Sequence, residues 1–143
     1  MTIVIEIDGE PVAKGRGKIG RMANGRPVIF TPAKTRNNEN LIKMAAMAAM
    51  KGRDPIKGAV SVSVGVYISL PKSFSKKKLA MAEIGVIRPC VKPDIDNFYK
   101  QALDGLNAIV FVDDNQVVEL NGFKLYRAKP GMRIEVRELD DVI

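Results

Sequence analysis

The chain contains no histidine, and its single cysteine is Cys90. Losing histidine excludes Ser-His-Asp triads, HExxH zinc sites and every nuclease that relies on an imidazole base. One cysteine excludes an internal disulfide and any cysteine-based zinc cluster. No apolar run approaches the length of a membrane span. The opening "MTIVIEIDGE" lacks the basic start and small-residue cleavage site of a signal peptide, so a cytoplasmic protein is expected. Any hydrolysis by such a chain must draw on carboxylates, lysine, tyrosine or a metal-bound water.

What is present is a chain of 143 residues, sized for one domain, with 46% apolar residues, enough for a real core. Its formal charge is +7, unevenly placed. From Pro11 to Lys57 there are eleven basic residues against Glu39 and Asp54, whereas acids outnumber bases from Asp94 onward. Scattered surface lysines would mean only a solvated face. A one-sided block favours a partner with a phosphate backbone.

Hydropathy patterning predicts α+β architecture: a single domain, residues 1–143, with a mixed sheet flanked by helices. "TIVIEI" alternates with Ile3, Ile5 and Ile7 on one face, and "AVSVSVGVYISL" does so more strongly. "AKGRGKIGRMANGRPVIF" reads as two short basic strands around an Asn24-Gly25 turn. A helix is expected after Thr31-Pro32 or Thr35, ending near Gly52, with Leu41, Met44, Ala45 and Ala48 as its stripe. Its methionines, Met44, Met47 and Met50, suit core or dimer packing. "SKKKLAMAEIG" is a short helix carrying Lys76, Lys77 and Lys78. "DNFYKQALDGLNA" is a helix capped by Asp96 or Asn97, with Phe98, Ala102, Leu103 and Leu106 buried. "QVVELNGFKLYR" and "MRIEVRE" read as closing strands.

Three motifs come close and fail. Gly15, Gly17 and Gly20 spell G-x-G-x-x-G, but an Asn-Gly turn follows where a nucleotide fold needs a helix. Arg21 and Met22 replace the Lys and Ser/Thr of a P-loop. The stretch from Asp94 starts like a calcium loop, but Phe98, Tyr99 and Gly105 stand where an oxygen ligand, the glycine and the glutamate belong. An isolated Asp94-Ile95-Asp96 also suits a metal-dependent sugar transferase, for which the chain is too short.

Two acidic knots remain, "KPDIDN" and "VDDNQV". If "KPDID" is extended, Asp94 and Asp96 point the same way. Once the helix begins, Asp96, Lys100 and Asp104 share one face. A helix of this length runs roughly 15 Å, and a return segment brings Asp114 back towards the first pair. The plainer reading, a capped helix with a surface Lys100–Asp104 pair, leaves Asp94, Asp113 and Asp114 unexplained. Clustered carboxylates repel unless protonated or metal-bound, and hard oxygen donors suit magnesium or manganese. Such an ion would let an acidic pocket accept a phosphate and would activate a water for hydrolysis.

"KPDIDNFYKQALDGLN…VFVDDNQVVEL" resembles the core of the RusA family of Holliday-junction resolvases, strongly from Lys92 to Leu120 and loosely at "GEPVAKGRGK…TPAKT". The resemblance implies a homodimeric, magnesium-dependent endonuclease that cuts four-way DNA junctions by paired symmetrical nicks, in recombination and repair. Its essential acids match Asp94, Asp96 and Asp114, and its functional lysine matches Lys100; Asp113 is a further candidate metal ligand. A prophage origin fits the family. The basic hairpin residues Lys14, Arg16, Lys18 and Arg21, with Lys76, Lys77 and Lys78, are the expected DNA contacts. The rivals are a flap or general branched-DNA metal nuclease, and a non-catalytic basic DNA-binding module.

Overall fold

A computed structural model of the chain describes residues 1–15 and 17–140. Four strands form a mixed sheet: β1 (Thr2–Asp8), β4 (Val60–Ser69), β5 (Val117–Arg127) and β6 (Gly131–Glu138). Their spatial order is β1-β6-β4-β5; β6 runs antiparallel to both neighbours, and β5 lies parallel to β4 at the edge. A separate antiparallel ribbon comprises β2 (Lys18–Arg21) and β3 (Pro27–Phe30). The helices are α1 (Ala33–Met50), α2 (Lys76–Glu83) and α3 (Ile95–Leu106). The expected α+β class holds.

The period-2 patterns explain the sheet's inner face. Ile3 and Ile5, then Val60, Val62, Val64 and Val66, then Ile134 and Val136 are buried in register across β1, β4 and β6. Helices α1 and α3 cover this face through Ile42, Ala46 and Met50, and through Phe98, Ala102 and Leu106. Full burial of a side chain such as Phe98 or Leu106 stabilises by about 1.5–3 kcal/mol. Helix α2 packs instead at β5, where Phe74 meets Tyr126 edge-on.

The expected stripe of α1 is corrected. Leu41 and Met44 are exposed, as is Met47, and the buried face is Thr35, Asn38, Ile42, Ala46 and Met50. Two of these are polar, and both meet Gln101 of α3, Thr35 through its main-chain carbonyl and Asn38 through its side chain. The fully buried Gln101 Nε2 donates to Thr35 O at 2.8 Å and to Asn38 Oδ1 at 3.1 Å. One turn further along, Gly105 lets α3 approach α1 closely; a Cβ there would lie 2.7 Å from Ile42 Cβ. These contacts fix the pitch of α3, and so of the acidic residues on its opposite face.

Candidate active site

Helix α3 begins earlier than the sequence suggested. Asp94 is the residue at the helix cap, with extended backbone, and its carboxylate makes no capping hydrogen bond. Asp96 therefore sits in the first turn, where the helix dipole favours a negative charge. The extended arrangement expected for "KPDID" ends at Asp94, and the two acids line separate cavities. Asp94 lines a cavity of about 500 Å³ with Lys92, Pro93 and Asn97. Asp96 lines one of about 240 Å³ with Tyr99, Lys100, Leu103, Asp104, Asp114 and Leu120.

The second cavity gathers most of the expected site. Asp96, Lys100 and Asp104 follow one helical face, as their spacing required. Leu103 is half-buried: it packs against the core, as its place in the stripe required, and also lines this cavity. Asp114 arrives from a single 3-10 turn, Asp114–Gln116, immediately before β5. Tyr99 lines the wall, and burial pushes its phenol above the usual value.

Two residues that the sequence left without a role hold this geometry. Gln116 Nε2 donates to Ile56 O at 2.7 Å and to Gly58 O at 2.9 Å, while its Oε1 accepts from Asp113 N at 2.9 Å. It thereby pins the turn that carries Asp114. Asp113 closes a reciprocal capping box, accepting from Asn115 N at 3.4 Å, and does not line the cavity. The D-x-x-Q spacing was a readable sign of that box. Lys124 Nζ donates to Val91 O at 2.7 Å and to Pro93 O at 2.9 Å, fixing the loop that leads to Asp94. No local pattern announced Lys124.

The basic candidates divide. Lys14 Nζ lies 2.9 Å from Asp104 and 3.1 Å from Glu39, and is largely shielded from solvent. Burial works to lower the Lys14 ammonium, but the hydrogen bonds and charges of Asp104 and Glu39 outweigh it and hold its pKa above the usual value. Burial likewise works to raise Glu39, yet Lys14 and Lys43 hold it below its usual value. Asp104 thus pairs with Lys14, not with Lys100, which takes part in no salt bridge among the described residues. Lys18 and Arg21 project on the exposed ribbon. Lys76, Lys77 and Lys78 occupy the exposed first turn of α2 and do not line the acidic cavity. Three cations there oppose the helix dipole. Arg16 lies outside the described residues.

Among the described residues, no three carboxylates stand close enough to enclose a metal by themselves. Magnesium does not require such a cage. It commonly keeps several waters and takes one or two carboxylates together with substrate phosphate. Asp96 and Asp114, two hard donors facing one cavity, fit that requirement.

A model of the endodeoxyribonuclease RusA family matches residues 8–137. The chain belongs to the RusA family. It is also 39% identical over 139 residues to "Uncharacterized protein YqaN" of Bacillus subtilis (strain 168), covering 96% of each protein. The match takes in the ribbon, both acidic knots and strands β4 to β6 of the sheet, reaching β1 only at Asp8; the RusA family is one of nucleases. No described helix is long and apolar enough to cross a membrane.

Proposed function

We propose that this RusA-family protein is a magnesium-dependent endonuclease that resolves four-way DNA junctions by paired, symmetrical phosphodiester hydrolysis. The observation that carries the reading is the convergence of Asp96, Lys100 and Asp114 on one cavity between α3 and the start of β5. Asp96 and Asp114 would hold the ion; Asp94, which the resemblance also marks as essential, lines a separate cavity two residues before Asp96. Manganese satisfies the same hard-donor chemistry. A bound ion supplies Lewis-acid charge at the scissile phosphate. Lys100, on the same helical face as Asp96, stabilises the negative charge that grows on the phosphate as water attacks.

A homodimer completes the proposal. A four-way junction has near two-fold symmetry, and a two-fold dimer presents identical sites to two opposed strands. The protein's role would lie in recombination and repair. The test is a labelled synthetic four-way junction with and without magnesium, beside linear duplex and flap substrates. Paired nicks in opposed strands of the junction, dependent on the metal, are expected. Equal cutting of flap and junction would reduce the protein to a general branched-DNA nuclease, and binding without cutting would make it a binding module.

A further inference from the structure

The β2–β3 ribbon stands apart from the core, and its residues from Arg21 to Phe30 are all exposed. Ile19 pairs directly with Ile29, and both are about three-quarters exposed, at 78% and 75%. They lie on one face of the ribbon; Val28 and Phe30 lie on the other, also exposed. The glycines here serve the protein's own side chains. A Cβ on Gly20 would lie 2.8 Å from the Phe30 ring, and one on Gly17 would press into Ile29. The ribbon therefore holds apolar groups outward on both faces.

Its charges have one sign. Between Gly17 and Phe30 stand Lys18, Arg21 and Arg26, with no acid. Like charge opposes pairing of this ribbon with a second copy of itself. It favours a polyanion that also offers flat apolar surface, which is DNA whose bases are unstacked at a branch. Apolar wedges flanked by cations are a general device for opening a base step.

The ribbon's root fixes where such a wedge would act. Lys14 N donates to Asn97 O of α3 at 2.9 Å, and Lys14 Nζ holds Asp104 on the cavity wall. From Lys14 to Ile19 the extended chain spans at most ~17 Å, or about five base steps of duplex.

We infer that the β2–β3 ribbon is a DNA wedge, placing Ile19 and Ile29 against unstacked bases at a branch point while Lys18, Arg21 and Arg26 hold the flanking phosphates. This rests on the proposed action on branched DNA.

The experiment uses the full chain in magnesium-free buffer and a junction carrying 2-aminopurine beside the branch. Wild-type binding should raise its fluorescence. Ile19→Ser with Ile29→Ser should abolish that rise and lower the preference for junction over linear duplex about tenfold, with duplex affinity unchanged. Leu at both positions should preserve the rise. A persisting rise in the serine variant overturns the wedge. So does its selective loss of binding to phosphatidylcholine vesicles containing phosphatidylserine, or a change from dimer to monomer, since the apolar pair would then serve a membrane or a second copy. If wild type opens the branch but never cuts with magnesium, the wedge stands and the proposed hydrolysis fails. Cutting without any opening has the opposite meaning.

Discussion

Replacing Lys14 with Met separates two roles that a basic residue near a DNA site can have. Lys14 is held by Asp104 at 2.9 Å and Glu39 at 3.1 Å, and the three side chains are only 21%, 26% and 18% exposed. Hydrogen bonds to charged groups contribute about 1.5–3 kcal/mol each. Lys43 remains on Glu39 at 3.3 Å, and Met retains the apolar stem, so the net loss should be about 2 kcal/mol. With a urea slope of about 1–3 kcal/mol/M for a chain of this size, the unfolding midpoint should fall by roughly 1 M. A phosphate contact would instead reduce the slope of log affinity against log salt by about 0.9. Lys14→Met should leave that slope unchanged, because its ammonium already has two carboxylate partners.

The pH dependence gives a second readout. Glu39 is held below its usual 4.5, so its contribution is present above that value and lost as pH falls through the depressed folded pKa. Lys14 is held above its usual 10.5, so its contribution is present below that value and lost as pH rises through the raised one. The difference in stability between wild type and Lys14→Met should thus be flat from about pH 5 to 10 and shrink on the acid side. An unmoved urea midpoint together with a salt slope reduced by about one would refute the ion-pair assignment.

Asp96→Asn and Asp114→Asn should each abolish cleavage while junction binding and the melting curve persist; near wild-type cutting in magnesium by either would remove it from the donor set. Lys100→Ala should lower the single-turnover rate by about 100-fold with a much smaller change in Kd, and equal losses in both would demote Lys100 to a backbone contact. Lys18→Ala with Arg21→Ala should weaken binding to all junction sequences alike and reduce the salt slope by roughly two. Gly105→Ala gains about 1 kcal/mol of helix propensity but meets Ile42, an overpacking of about 1–3 kcal/mol, so it should be destabilising on balance. Its combination with Ile42→Ala should be less destabilising than the two changes added, measured by urea unfolding.

Local periodicity made β1, β4, the ribbon and α3 legible, because each pattern reports a face. It misjudged α1. There the apolar residues Leu41 and Met44 face outward while Thr35 and Asn38 are buried, the Thr35 carbonyl and the Asn38 side chain both accepting from Gln101 some sixty residues away. Burial of mutually bonded polar groups leaves no hydrophobic signal. The insertion of β6 between β1 and β4 is a non-local pairing that no short window contains. The site was legible where one helix face carried it, at Asp96, Lys100 and Asp104. It was misread where a partner came from elsewhere: Lys14, in a basic block, reads as a phosphate contact, yet Glu39 and Asp104 claim it.

That pairing also accounts for acids gathered in a basic chain. The cavity is lined by Asp96, Asp104 and Asp114 with Lys100, and Asp104 is matched by Lys14. What remains is a formal excess of one negative charge, from two free carboxylates against one free ammonium. A divalent cation would invert this to a single positive charge, the sign needed to receive a phosphodiester. Without Lys14 the cavity would stay neutral after taking up the cation. On the proposed function, the residue that looks most like a DNA contact would act on DNA through the charge of the acidic cavity. It would do so from a position fixed by both α1 and α3, at the root of the β2–β3 ribbon.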